Sequence, residues 1–270
     1  MAEGQRWADS VNAWENWADG MASPADRINR PLLDLAGVQS GQHVLDVAAG
    51  VGEPSLSLSQ MLGDGGSVVA SDLVPAMLVA LRRRARAHLH PPLPVAADMG
   101  ALPFADGIFD RALCRFGLMF VPDIIAALAE MRRVLRPGGA AAIAVWGPRA
   151  DNTLFNRLGM RLEADYGATA VRLLAPLFRF ADPAALLAAA GQAGFTSIRH
   201  VPLSLLTPAR ADLPFWLPTL EMAFSPLLSD LTPDARAALH GRIARDFAAD
   251  ADDTERVPVA LSVHLLRLGT

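Results

Sequence analysis

Residues 44–56, VLDVAAGVGEPSL, constrain the fold of this chain more than any other stretch. They predict a short apolar strand, a turn at Gly50 and Gly52, and the start of a helix. Glycine has no Cβ, so it permits a sharp backbone turn and lets a ligand approach closely. Pro54 suits the first helical position, where its missing N–H costs nothing. A strand that turns through glycines into a helix is typical of layered α/β proteins.

The order of residues in this turn separates two kinds of nucleotide site. A dinucleotide fingerprint has three glycines and keeps its acidic residue about 20 positions further on. Here Ser55 stands at the third glycine position and Asp46 precedes the turn. Both residues disfavour an NAD(P)-dependent oxidoreductase. That class stays an alternative, as does a structural turn that binds no ligand.

Predicted strands and helices alternate from residue 42 onward. The strands are continuous apolar runs, which indicates a parallel sheet covered by helices on both faces. We therefore predict an α/β fold with a doubly wound, seven-stranded, mostly parallel sheet of the Rossmann-like kind. The predicted strands are 43–47, 67–71, 94–97, 109–114, 140–146, 196–203 and 257–268, and the predicted core helices are 53–62, 75–88, 123–135, 151–166 and 182–193.

Acidic residues end the first three predicted strands, as Asp46, Asp72 and Asp98. Ligands of open α/β sheets bind beyond the carboxyl ends of the strands. A carboxylate at Asp72 can accept hydrogen bonds from both hydroxyls of a ribose. Each aspartate alone could instead cap a helix or form a turn. Three of them in register predict a nucleoside site.

Several segments together resemble the class I S-adenosylmethionine-dependent methyltransferases. DVAAGVG at 46–52 resembles motif I of that family, and AADMGALPF at 96–104 resembles its adenine-binding segment. LPFADGIFD at 102–110 and EMRRVLRPGG at 130–139 resemble two further family segments. The combination, over about residues 40–147, closely resembles the menaquinone/ubiquinone C-methyltransferase branch, and small-molecule O- and N-methyltransferases share it.

This resemblance implies S-adenosylmethionine as the cofactor and S-adenosylhomocysteine as the product. In the family the glycine loop wraps the methionine end, and the acid in the adenine-binding segment accepts from the exocyclic amine. The last strand runs antiparallel. The cofactor-binding residues implied for this chain are Asp46, Ala48, Gly50, Gly52, Asp72, Leu73, Met77, Asp98, Met99 and Arg115.

Two helical segments flank the predicted core and carry most of the tryptophans. Their rings either pack these segments onto the core or line an acceptor pocket, and related methyltransferases often use an N-terminal arm for the second purpose. The candidates for acceptor binding are Trp17, Phe116, Trp146 and Trp216. The predicted division is an N-terminal helical arm at 1–36, a cofactor-binding core at 37–206, a mostly helical substrate cap at 207–255 and the last core strand at 256–270.

The function predicted from these features is methyl transfer to a small, apolar or aromatic acceptor at oxygen, carbon or nitrogen. Proximity and orientation would supply most of the rate, because a sulfonium methyl is already activated. A hydroxyl acceptor also calls for a general base, for which His200, His264 and Glu221 are candidates. A binding module without chemistry remains a further alternative. The sequence names neither the acceptor nor the atom that is methylated.

Charge and composition narrow the range of partners. The net charge is −4 and the pI about 5.8, so no nucleic-acid footprint is predicted. The concentrated basic run, Arg82–Arg84 with Arg86, is predicted to be a solvated helix end. No metal site is predicted. The expected partner is a small-molecule acceptor, and the oligomeric state stays open, a homodimer included.

The remaining composition points to a cytoplasmic protein. The single cysteine allows no intrachain disulfide and fits an intracellular setting. Residues 1–30 carry charges and no apolar run, so no secretory signal is predicted. No stretch of about 18 uncharged apolar residues occurs, so no membrane span is predicted.

Overall fold

The computed structural model of the protein describes residues 3–270, in which ten α-helices and seven strands occur. The strands are β1 (His43–Val47), β2 (Ser67–Asp72), β3 (Leu93–Ala96), β4 (Phe109–Arg115), β5 (Leu135–Trp146), β6 (Ser197–Arg210) and β7 (Arg256–Gly269). The helices are α1 (Glu3–Ala18), α2 (Ala22–Ala36), α3 (Ser55–Leu62), α4 (Pro75–Arg84), α5 (Ile124–Val134), α6 (Thr153–Tyr166), α7 (Ala168–Leu174), α8 (Ala184–Gln192), α9 (Leu217–Ser229) and α10 (Pro233–Ala248).

The seven strands form one sheet in the order β3-β2-β1-β4-β5-β7-β6. Strands β1 to β5 run parallel, and β7 lies antiparallel between β5 and β6. The predicted doubly wound, Rossmann-like fold and the antiparallel last strand are confirmed. The strand order reverses between β1 and β4, so a crevice is expected beyond the carboxyl ends of these two strands.

Helices bury both faces of the sheet, which explains the continuous apolar runs in the strands. Residues 140–145 of β5 are completely buried. On one face Leu32 of α2 and Leu58 of α3 pack against the sheet. On the other face Leu128 of α5 and Leu186 of α8 do the same.

A second apolar core lies outside the sheet and is built by α6, α7, α9 and α10. We call these four helices the cap, which is thus wider than the predicted substrate cap at 207–255. Leu162, Leu173, Phe224 and Phe247 are buried in it. Strands β6 and β7 pair along 14 residues each. The chain passes from the end of β6 into α9 and returns from α10 to the start of β7. The cap therefore draws on two segments of the chain, one after β5 and one between β6 and β7.

Several predicted boundaries differ from the observed ones. Helix α3 begins at Ser55, so Pro54 lies just before the helix rather than at its first position. Strand β6 continues to Arg210, whereas we expected helical structure from residue 207. Prolines suggested that break, but β6 is an edge strand, where a proline whose N–H would face solvent costs no ladder hydrogen bond. Helix α7 forms in a stretch for which no element was predicted.

Within residues 3–270, no helix combines the length and the apolar character that crossing a lipid bilayer requires.

Candidate active site

A cavity of about 650 Å³ lies at the carboxyl ends of the central strands. This volume falls in the usual range for ligand sites, roughly 300–1,000 Å³. Residues at the ends of β1, β2, β4 and β5 contribute to its wall, together with α1, α2 and two cap helices, α6 and α9. Most of the lining side chains are apolar, and the few charged ones come from the strand ends.

The glycine loop, residues 48–53, follows β1 and forms one wall of the cavity. Ala48, Gly50 and Gly52 have φ values of 59°, 55° and 121°, a region that favours glycine. A Cβ placed on Gly50 would meet no protein atom within 4 Å. At Ala48, in contrast, the loop packs tightly against Gly117, where an added Cβ would lie only 2.3 Å from the Ala48 Cβ. The loop therefore presents bare backbone to the cavity at Gly50.

Asp46 lies behind the glycine loop and is almost completely buried. Its Oδ2 accepts a hydrogen bond from Ser55 Oγ at 2.5 Å, which ties the end of β1 to the start of α3. Burial raises the pKa of Asp46 to about 7, although the Ser55 hydroxyl and the charge of Arg115 both lower it. The carboxyl does not form part of the cavity wall.

Asp72 joins the glycine loop to the end of β2 and lines the cavity. Its Oδ2 accepts from the Gly50 amide and its Oδ1 from the Val74 amide, each at 2.8 Å. Burial raises the pKa of Asp72, and the two backbone hydrogen bonds lower it. Each carboxylate oxygen has a second lone pair, so Asp72 can accept further hydrogen bonds from a ligand.

Asp98 marks the outer end of the same wall. Its side chain is exposed, and its Oδ1 accepts from the Gly100 amide at 2.8 Å. Met99 follows it and lines the cavity, as do Leu73 and Met77 beyond Asp72. Two carboxylates with apolar side chains between them form a surface that suits a nucleoside, with a polar sugar edge and an apolar base.

Arg115 and Glu53 bring opposite charges to the other end of the glycine loop. Arg115 Nη2 donates to the Glu53 carbonyl oxygen at 3.3 Å, while its buried Nε has no partner among the described residues. Burial lowers the pKa of Arg115, and the carboxylates of Glu53 and Asp46 raise it. The Glu53 carboxylate accepts from Ser57 Oγ at 3.0 Å. Glu53 was not predicted as a site residue, although its place directly after Gly52 is a signal for it.

Aromatic rings form the walls farther from the glycine loop. Phe116 and Trp146 stack with ring centroids 4.0 Å apart and planes 7° from parallel. Phe155 of α6 packs edge-on against Trp146 at 5.0 Å. From the arm, Trp7 packs edge-on against Phe120 at 4.8 Å. The cavity thus joins an acid-lined end to a chamber walled by rings.

Comparison with known proteins places this site in a family. A family model described as a methyltransferase domain matches residues 44–139. A demethylmenaquinone methyltransferase of Thermus thermophilus is 34% identical over 185 residues, which cover 64% of this chain and 83% of that protein. The chain belongs to the class I S-adenosylmethionine-dependent methyltransferases. The methyl donor inferred from the sequence is thereby confirmed at the level of the family.

Other relatives match this chain over less of their length. A demethylmenaquinone methyltransferase of Beutenbergia cavernae is 39% identical over 138 residues, 50% of this chain and 54% of that protein. The chain thus spans about half the length of this relative. A Haemonchus contortus phosphoethanolamine N-methyltransferase, solved with S-adenosylhomocysteine, has a TM-score of 0.57 and 16% identity, covering 90% of this chain and 52% of that chain. At that identity the likeness shows a shared fold.

The structure gathers most of the predicted cofactor-binding residues around one cavity. Asp46 and Gly52 do not line it: Asp46 lies behind the glycine loop and bonds to Ser55, and Gly52 belongs to the loop itself. The predicted residues on the cavity wall are Ala48, Gly50, Asp72, Leu73, Met77, Asp98, Met99 and Arg115. Their roles toward a ligand stay predictions.

Two of the four acceptor-binding candidates lie on the cavity wall, Phe116 and Trp146. Trp17 instead donates from Nε1 to Oε2 of Glu221 at 2.6 Å and so joins α1 to α9. Trp216 is buried in the cap, where its ring packs edge-on against His240. The tryptophans of the arm that lie on the wall are Trp7 and Trp14. They share one helical face with Val11 and Ala18, a spacing that identifies the buried side of α1.

None of the three candidate bases lines the cavity. His264 Nε2 lies 3.0 Å from the Ala181 carbonyl oxygen, which can only accept, so this nitrogen carries the proton. His264 Nδ1 then accepts from His200 Nε2, 3.0 Å away. Burial lowers the pKa of His200. This pair joins β6 to β7, and Glu221 accepts from Trp17. All three side chains thus make contacts between elements away from the cavity wall, and a role as general base stays a prediction.

Proposed function

We propose that the protein transfers a methyl group from S-adenosylmethionine to a small, largely apolar acceptor that carries an aromatic ring. One observation carries the proposal: a single cavity joins the acid-lined end at Asp72 and Asp98 to the ring-walled chamber at Phe116 and Trp146. Pockets for such acceptors are mostly apolar, with few polar groups. The names of relatives make quinol-type rings the first acceptors to test.

The residues of the glycine loop and the strand ends fit the methyl donor. The backbone at Gly50 is bare toward the cavity, as close contact with a ligand requires. Asp72 would accept from the ribose hydroxyls, and Leu73 and Met99 would pack against the adenine ring. The buried Nε of Arg115, which has no partner in the described chain, would pair with the carboxylate of the methionine end. When bound, S-adenosylmethionine supplies a methyl group activated by its sulfonium.

The chamber itself contributes alignment and exclusion of water rather than proton transfer. The ionisable side chains on the described wall are Glu53, Asp72, Asp98 and Arg115, all of them at the donor end. Asn152 also lines the chamber, but its Oδ1 accepts from the Ser262 amide at 3.0 Å. Its Nδ2 donates to the Pro148 carbonyl at 2.9 Å. Holding an acceptor in line with an activated methyl group can supply most of the rate.

Binding and turnover measurements test the proposal in two steps. Isothermal titration with S-adenosylhomocysteine and with NAD separates a methyltransferase from an oxidoreductase, and we expect binding of the first alone. Incubation with S-adenosylmethionine and a panel of quinols, phenols and aromatic amines should then give a mass gain of one CH₂ in at least one ring compound. Binding of NAD alone would reverse the assignment. Binding of S-adenosylhomocysteine without turnover of any small acceptor would favour a module without chemistry.

A further inference from the structure

The basic run at the end of α4 is not uniformly solvated, contrary to the prediction from sequence. The side chain of Arg84 is only 11% exposed. Its Nη1 donates to the Val51 carbonyl oxygen at 2.6 Å, inside the glycine loop. Its Nε and Nη2 donate to Oδ1 of Asp19 at 3.2 and 3.0 Å, at the end of the arm helix α1. One guanidinium thus bridges α4, the glycine loop and the arm.

Arg84 contacts the glycine loop on both sides of Gly52. Besides the Val51 carbonyl, it faces Glu53, whose Oε1 lies 3.8 Å from Arg84 Nη2. The guanidinium does not line the main cavity; it lies in a smaller polar cleft of about 170 Å³ that Asp19 and Glu53 also line. Arg84 can therefore affect a ligand in the main cavity only through the loop.

The conformation of the loop explains why such a contact matters. Ala48, Gly50 and Gly52 all have positive φ, and residues in sparsely populated backbone regions persist only where their surroundings hold them. On the side of β2, the Asp72 carboxylate holds the loop by accepting a hydrogen bond from the Gly50 amide. A hydrogen bond from a charged donor is about twice as strong as a neutral one, so Arg84 is suited to fix the loop from the other side.

We propose that Arg84 is a positioning residue that fixes the glycine loop for cofactor binding and joins the arm helix α1 to it. The proposal rests on the proposed function, because it assumes that this loop binds S-adenosylmethionine. Since Asp19 and Val51 bind the same guanidinium, loosening the arm weakens the support of the loop. The contact of the arm with Arg84 and retention of the cofactor are thereby coupled.

The neighbouring Arg83 provides a matched control. It lies in the same turn of α4 and also binds the arm, with Nε donating to Glu15 Oε1 at 2.8 Å. Its side chain is 47% exposed. Exposed ion pairs contribute little to stability. Arg83→Met therefore removes an arm contact of similar kind while leaving the Val51 contact in place.

The test compares Arg84→Met, Arg84→Lys, Asp19→Asn and Arg83→Met in the full chain. Affinity for S-adenosylhomocysteine is measured by titration, and amide hydrogen exchange is measured without ligand over the loop and over α1. We expect Arg84→Met to weaken binding by about tenfold, the value of one hydrogen bond from a charged donor, and to speed exchange in both segments. Arg83→Met should stay within about twofold of the wild type.

The other two variants separate the two contacts of the guanidinium. Asp19→Asn should speed exchange in α1 with a smaller loss of affinity. Lysine offers a single point donor rather than a fork, so Arg84→Lys should recover part of the affinity lost in Arg84→Met. If Arg84→Met does not fold, Arg84→Lys and Asp19→Asn keep the proposal testable, because each should still bind S-adenosylhomocysteine more weakly than the wild type.

Two results would overturn the positioning role. One is wild-type affinity and wild-type loop exchange in Arg84→Met. The other is an equal loss of affinity in Arg83→Met. The exchange measurement needs no ligand, so it still judges the support of the loop if the wild type fails to bind S-adenosylhomocysteine. That failure would contradict the proposed function instead.

Discussion

At the scale of single residues, Asp46 shows how burial behind the glycine loop raises the pKa of a carboxyl group. Its carboxyl has a pKa of 3.8 in the unfolded chain, and burial raises it to about 7 in the fold. Between these values the native state binds more protons than the unfolded state. The contribution of Asp46 to stability therefore falls as the pH rises through this window, and it levels off above about pH 7.

We predict that Asp46→Asn removes this pH dependence. One pKa unit corresponds to about 1.4 kcal/mol, so the variant should gain up to about 3 kcal/mol in unfolding free energy relative to wild type between about pH 5 and about pH 8. Urea unfolding of both proteins at the two pH values measures the difference. Asp253→Asn, at an exposed turn, serves as the control. A constant difference between Asp46→Asn and wild type across this range would contradict the assignment of a raised pKa.

A second prediction concerns Gly50, which combines positive φ with bare backbone toward the cavity. Gly50→Val should abolish binding of S-adenosylhomocysteine while the chain stays folded, because a β-branched side chain is strained at this φ and would occupy the space of the ligand. Gly138 is a matched control, since it has φ of 77° and also meets nothing within 4 Å. Gly138→Val should bind normally. Tight binding by a natively folded Gly50→Val would remove the loop from the cofactor site.

A third prediction ranks the two carboxylates of the cavity wall. Asp72→Ala removes hydrogen bonds to a ligand and also those to the Gly50 and Val74 amides. We expect it to weaken binding of S-adenosylhomocysteine by about 1.5–3 kcal/mol, the value of a hydrogen bond to a charged group. Asp98 is exposed, so Asp98→Ala should cost less. Calorimetric titration of both variants provides the measurement, and unchanged affinity in Asp72→Ala would refute its role.

At the scale of helices and strands, the sequence predicts what depends on local pattern. The central strands and α5 follow from apolar runs and helical periodicity, and glycine and proline mark their ends. The acids at the strand ends follow from the same register. All of these signals lie within one element, so no knowledge of its neighbours is needed.

Features that depend on contacts between distant elements cannot be predicted from such local patterns. The basic run at the end of α4 resembles any solvated helix end until α1 packs beside it and Asp19 binds Arg84. Trp17 looks equivalent to Trp7, yet it lies off the buried face of α1 and bonds to Glu221 of α9. The cap combines helices from two segments more than forty residues apart, and only the folded sheet brings them together.

At the scale of the whole molecule, α1 connects the core to the cap across the cavity. Toward the core, Val11 and Ala18 are buried beside Val74 and Met77. Toward the cap, Arg6 Nη2 donates to the Leu173 carbonyl at 3.0 Å. The sheet keeps its own apolar core on both faces without this helix. The arm is thus required for the enclosed chamber rather than for the sheet.

We therefore predict that deleting residues 1–20 lowers acceptor turnover sharply while the core stays folded. The deletion removes Trp7 and Trp14 from the wall and admits water, and loss of alignment of this kind can cost on the order of a hundredfold in rate. Circular dichroism checks the fold, and turnover of the best acceptor from the panel gives the effect. Within the intact chain, Trp7→Ala should reproduce part of the loss. Asn16→Ala, on the exposed side of α1, should not. Full turnover by the truncated chain would place the acceptor outside this chamber.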